Sequence, residues 1–160
     1  GDKIIIQVGQ NDKVPTKKTY ATPSEFRNNL VQYVAETRAK KAQPILLTPM
    51  ARRKFNTAGQ AEATHEVYAQ ITREVAAAEN VILFDMDKKS QSLYQQFGAE
   101  PSRLLFLQLK PGEHPNYPEG KEDNTHFSEL GARLLAQLVL QEIREQVPEL
   151  GQRIFIPIKK

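Results

Sequence analysis

Three short, nearly continuous apolar runs constrain what this chain can fold into more than any other feature. Residues 3–8 (KIIIQV), 45–48 (ILLT) and 81–85 (VILFD) each end in residues that break a strand: Gly9, Asn11 and Asp12 after the first, Pro49 after the second, Asp85 closing the third. β-Branched runs of this length, without polar alternation, suit strands buried on both faces, the habit of a parallel sheet. Helical patterns lie between them. Residues 24–41 open with Ser24 as an N-cap candidate after Thr22-Pro23 and repeat Phe26, Leu30 and Val34 along one face; residues 64–79 repeat Val67, Ile71 and Val75. Strand, helix, strand, helix, strand predicts an α/β protein with a parallel sheet flanked by helices. In such sheets ligands sit beyond the carboxyl ends of the strands, so residues 9–12, 48–53 and 85–87 are expected along one rim.

Beyond the third run, helical segments are predicted over residues 88–97 and 101–107, followed by a Pro-, Gly- and charge-rich loop over 110–124 (KPGEHPNYPEGKEDN). Residues 128–146 form the last strong helix, with Leu130, Leu134, Leu135, Leu138 and Ile143 as its apolar stripe; residues 154–158 read as a terminal edge strand around Pro157. At 160 residues, residues 1–160 are expected to be a single domain. The net charge is +3, but Lys and Arg are scattered among nearly as many acids, so no nucleic-acid partner is expected. No apolar stretch approaches the roughly 18 residues that span a bilayer, so no membrane partner is expected. The absence of cysteine excludes disulfides and thiolate metal sites. The start, Gly1-Asp2-Lys3 ahead of three isoleucines, lacks both Met and the shape of a signal peptide and reads as a cut or processed end.

The sharpest chemical signal is DNTHFSELGA, residues 123–132. A carboxylate that fixes an imidazole's tautomer makes it a useful general base, and Asp123 and His126 lie three residues apart at the predicted mouth of the last helix. The bland reading is equally concrete: Asp123 caps that helix and His126 faces solvent. Asn11, just past the first strand, has a side-chain amide able to donate to a developing oxyanion; the alternative is an ordinary Asn-Asp turn. Arg52 and Arg53 follow the second strand and suit a carboxylate-bearing substrate, or else a solvated basic loop. Asp85 and Asp87 lack partners at ligand spacing, so no metal is expected. His65 and His114 read as surface residues.

The ordered set IIIQVGQND, ILLTPMARRKFN and DNTHFSELGA resembles the SGNH (GDSL-type) hydrolases, most of all the rhamnogalacturonan acetylesterase branch, and the resemblance runs from Gly1 to about Val147. It implies a three-layer, flavodoxin-like parallel sheet lacking its first two strands, because the family's nucleophilic serine block lies upstream of the block with which this chain begins. By the same resemblance, His126 is the general base, Asp123 its orienting carboxylate and Asn11 the oxyanion donor, with Arg52 and Arg53 as contacts to an acidic sugar. Gln10 stands where relatives often carry His. The implied activity is removal of acetyl groups from an acetylated acidic polysaccharide or oligosaccharide, as in pectin degradation. No cofactor is implied, and the location expected is secreted or periplasmic. None of Ser24, Ser90, Ser92, Ser102 and Ser128 has the context of the family's nucleophile, so the chain alone is expected to be inactive. A missing N-terminal segment or second chain is expected to complete the sheet. The alternatives are a noncatalytic acidic-glycan-binding module that has lost the nucleophile and, less favoured for want of a Gly-rich phosphate cradle, a flavodoxin-like nucleotide binder.

Overall fold

The computed structural model describes residues 1–155. Its centre is a parallel sheet of β1 (Lys3–Gln7), β2 (Gln43–Leu47) and β3 (Ile82–Phe84), in that order. Gln7 pairs with Leu47 and Leu47 with Phe84, so all three strands end level with one another. The two faces are covered as side-chain alternation dictates. Leu46 and Leu83 point into a layer formed by α1 (Pro23–Ala39) and α2 (Glu66–Ala78), where Phe26, Leu30, Val34, Tyr68, Ile71 and Val75 are buried. Ile45, Leu47 and Phe84 point the other way, into Met86 of α3 (Met86–Phe97) and Ile143 of α4 (Glu129–Gln146), with Val147 closing that core. This is the expected α/β arrangement with helices on both faces of a parallel sheet.

Local chemistry moves several boundaries. Thr22, rather than Ser24, caps α1: its hydroxyl accepts the Glu25 N–H while the Glu25 carboxylate accepts the Thr22 N–H, a reciprocal box that favours starting one residue earlier. Val67 is 55% exposed and Leu130 45% exposed, so neither belongs to the apolar stripe predicted for its helix; both fall in a first turn that overhangs the core. β1 is not buried on both faces. Ile4 and Ile5 are each 44% exposed, and among the described residues no strand pairs with the outer edge of β1.

The largest departure is in the segment predicted as a loop. Residues 101–105 form a single 3₁₀ turn, and β4 (Phe106–Leu109) pairs antiparallel with β5 (Lys121–Phe127), a separate hairpin. The helix predicted over residues 101–107 therefore stops early, and Asp123 and His126 sit on a strand. Alternation in KEDNTHF is too polar to read as a strand; what holds it is Phe127, whose ring lies 5.2 Å from Phe106, itself 5.2 Å from Tyr94 in a small satellite core. α4 then starts at Glu129, capped by Ser128, and a short α5 (Pro148–Gly151) follows. Ile154 packs against the α4 side of the sheet. The edge strand expected over 154–158 extends beyond the described residues.

Gly131 fixes where this unit docks. A Cβ there would lie 1.9 Å from the Leu105 carbonyl oxygen, so only glycine lets the first turn of α4 approach the 3₁₀ turn this closely. Gly131→Ala is expected to destabilise the fold by about 1–3 kcal/mol through backbone displacement, measured as a lower urea midpoint; an unchanged midpoint would show the contact to be slack.

Candidate functional site

The site is assembled where the strand ends meet the hairpin. After β1, Gly9 turns the chain at φ 107°, where a side chain would be strained, and its N–H donates to Asp12 Oδ2 at 2.9 Å. This Asx-type turn leaves Asn11 exposed, its amide making no hydrogen bond among the described residues. After β2, the chain carries Met50, Ala51, Arg52 and Arg53 across the rim.

The hairpin is fastened to that rim chiefly by Arg53. Its N–H donates to the Asn124 carbonyl at 2.9 Å, its Nη1 to Asn124 Oδ1 at 3.1 Å, its Nε to Ser102 Oγ at 2.9 Å, and its Nη2 to the Ala99 carbonyl. The guanidinium expected to contact substrate is thus engaged inside the protein, and the structure does not bring Arg53 to the hollow.

Asp123 organises the end of β5. Its Oδ1 accepts the Thr125 N–H at 2.7 Å and the His126 N–H at 2.9 Å, while Oδ2 lies 2.7 Å from His126 Nδ1. Burial pushes its carboxyl up, but the His126 and Thr125 N–H groups and the His126 ring outweigh it and bring it down to about 2. An ionised carboxylate beside Nδ1 accepts a hydrogen bond from it, which keeps the ring proton on Nδ1 and leaves Nε2 as the bare nitrogen. Asp123 is not the helix cap: Ser128 Oγ accepts the Gly131 N–H and donates to the Leu104 carbonyl at 2.7 Å. Phe127 turns into the satellite core, and His126, its neighbour on a pleated strand, turns outward with its side chain 75% exposed.

These groups share one hollow of about 750 Å³, lined among others by Gln7, Asn11, Arg52, His65, Asp123 and His126. Four of the five expected site residues, Asn11, Arg52, Asp123 and His126, therefore lie around one space, and Arg53 supports it from behind. A larger departure concerns His65. It is no surface residue: it is 1% exposed and lines the hollow. Its burial left no signal in the sequence, although Glu62 stands three residues before it, the spacing that also separates Asp123 from His126. Burial, then the charges of Lys13 and Arg52, hold its imidazole down at about 4 against the opposing Gln10 carbonyl. His114 is exposed, as expected.

Asp85 and Asp87 face Arg73. Arg73 donates to Asp85 Oδ2 at 3.0 Å and to Asp87 Oδ2 at 2.8 Å, and Thr48 Oγ1 links both acids, donating to Asp85 and accepting the Asp87 N–H. Asp85 also caps α3. Among the described residues no group of three or more His, Asp or Glu side chains is placed to hold a metal. Nor does any serine line the hollow among the described residues. Ser90 accepts the Ala51 N–H, Ser102 holds Arg53 and Ser128 caps α4.

Residues 1–134 match the GDSL-like lipase/acylhydrolase family. A rhamnogalacturonan acetylesterase of Bacillus subtilis (strain 168) is 40% identical over 146 residues, which cover 91% of this chain and 62% of that protein. The crystal structure of the Bacillus subtilis protein YxiM superposes with a TM-score of 0.75 at 26% identity, covering 92% of this chain and 38% of that one. An acetylxylan esterase from Geobacillus stearothermophilus shares the fold with a TM-score of 0.57 at 21% identity, covering 89% of this chain and 59% of that one. The chain thus spans less than two thirds of the length of each of these relatives.

Buried neutral His65 gives stability a definite acid limb. Above pH 6.5 it is neutral both folded and unfolded; between 6.5 and about 4 the unfolded chain takes up a proton that the folded chain refuses. Stability should therefore fall as pH drops through that window, by on the order of 3 kcal/mol from this group. His65→Gln should flatten the dependence in urea unfolding; an unchanged slope would show that the ring is solvated.

Proposed function

The chain belongs to the GDSL-like lipase/acylhydrolase family, and from that premise we propose that it carries the base and oxyanion groups of a serine-type carbohydrate acetylesterase. The observation that supports this reading is the 2.7 Å contact between Asp123 and His126 Nδ1 beside a hollow that Asn11 also lines. In the proposed chemistry His126 Nε2 takes the proton of a serine hydroxyl as that oxygen attacks the acetyl carbonyl. Asp123 stabilises the imidazolium so formed. The Asn11 amide donates to the oxyanion, and collapse of the intermediate breaks the bond from the acetyl carbon to the sugar oxygen, which takes the proton from His126 and leaves as a hydroxyl; the acetyl-serine that remains is hydrolysed by water to acetate.

The substrate class proposed is an acetylated acidic polysaccharide of the rhamnogalacturonan kind. It rests on the similarity to a rhamnogalacturonan acetylesterase and on Arg52 at the hollow's edge. A polymer of that size stays outside the cytoplasm, so a secreted or periplasmic site of action goes with this reading.

A second reading is favoured by one observation: no serine lines the hollow among the described residues. On that reading the same surface binds acidic glycan without cleaving it. Acetate release from acetylated rhamnogalacturonan by the natural protein that contains this sequence separates the two. The esterase reading expects release that drops at least about 100-fold in His126→Ala. Binding without release supports the second reading. The 160-residue chain alone, offering no serine to His126, is expected to hydrolyse 4-nitrophenyl acetate no faster than its His126→Ala variant.

A further inference from the structure

Two buried nitrogens beside the hollow make no hydrogen bond of good geometry, although the Gln10 carbonyl stands near both side chains. Arg52 Nε and His65 Nε2 are buried and lack a hydrogen-bond partner among the described residues. Burying one such group without a partner costs roughly 1–3 kcal/mol, and two in one cavity imply that their partner comes from outside.

Arg52 Nε is a donor by its chemistry, and the Thr64 hydroxyl bears on the role of His65 Nε2. Thr64 Oγ1 accepts the Arg52 N–H at 2.8 Å, and the same oxygen lies 2.8 Å from His65 Nδ1. Where the hydroxyl hydrogen points at Nδ1, the ring proton stands on Nε2 and that nitrogen is a donor. Arg52 Nη2 reaches only the Gln10 carbonyl, at 3.5 Å. Lys13 Nζ sits on the Thr64 carbonyl, and Lys17 lines the same space. Asp123 is the one acid among the lining residues, and both its oxygens are engaged by Thr125 and His126. The corner therefore offers two unanswered N–H groups in a positive field.

We propose that Arg52 and His65 form an anion-binding corner that takes the carboxylate of an acidic sugar, Arg52 supplying the charge and His65 acting as a neutral hydrogen-bond donor. Division of labour follows from burial: a second full cation in this confined space would repel Arg52, whereas a neutral imidazole adds a directed bond without that penalty. Only the choice of galacturonate as the sugar rests on the esterase reading; the corner itself rests on the two orphaned donors.

Amide-resolved NMR titration of the chain with galacturonate, and with galactose at matched ionic strength, tests the corner without requiring catalysis. Galacturonate should bind at least about tenfold more tightly than galactose, the equivalent of one charge-assisted hydrogen bond. Arg52→Gln and His65→Phe should each remove that preference. His65→Gln, which keeps an N–H at the reach of Nε2, should retain it, and so should His126→Ala, so loss of esterase activity and loss of this corner are read separately. The amide spectrum reports whether each variant is folded; should His65→Phe not fold, Arg52→Gln decides. Equal binding of the two sugars, or an undiminished preference in Arg52→Gln, overturns the proposal.

Discussion

Parallel pairing in level register is the constraint on which the rest depends. Because Gln7, Leu47 and Phe84 lie side by side, the loops that follow them must leave the sheet at one rim. That geometry brings Asn11 and Arg52 together although they are far apart in sequence. It also places Asp85 where Arg73 and Thr48 can lock the ends of β2 and β3 together. The sheet does not, however, supply the imidazole. His126 arrives on a hairpin with its own small core, docked through Gly131 and stapled to the rim by Arg53.

Electrostatics at that junction favours chemistry over stability. A single carboxylate, Asp123, gathers two backbone N–H groups and one ring N–H, which fixes the local backbone and orients His126 in the same act. The exposed imidazole gains little from packing, so its orientation rests on that one contact. His65 presents the opposite arrangement: it is enclosed, kept neutral by burial, and held by Thr64 at Nδ1, and in the proposed corner its far nitrogen donates. One hollow thus holds two histidines with opposite polarity toward whatever occupies it.

Much of this was legible in the chain, and the exceptions have physical causes. The three apolar runs announce a parallel sheet, although β1 leaves Ile4 and Ile5 half exposed, and the four-residue spacing of Phe26, Leu30 and Val34 announces α1, whose pattern follows directly from burial. β5 was hidden because its strand is held by one aromatic anchor instead of alternation. Arg52 and Arg53 look equivalent in sequence, yet backbone direction turns one toward the hollow and the other into the protein. His65 was invisible because its burial comes from tertiary enclosure by Gln10, Lys13 and Arg52, none of them near it in sequence.

Asp123 holding His126 with the proton on Nδ1 and Nε2 bare is the contact from which the chemistry of the hollow follows. Nitrogen-15 NMR of the histidine rings near pH 8 measures this most directly, because protonated and bare ring nitrogens resonate in separate ranges. The account predicts an Nδ1–H tautomer for His126 that is lost in Asp123→Asn, alongside an Nε2–H tautomer for His65. An Nε2–H tautomer for His126, or one indifferent to Asp123→Asn, would contradict it.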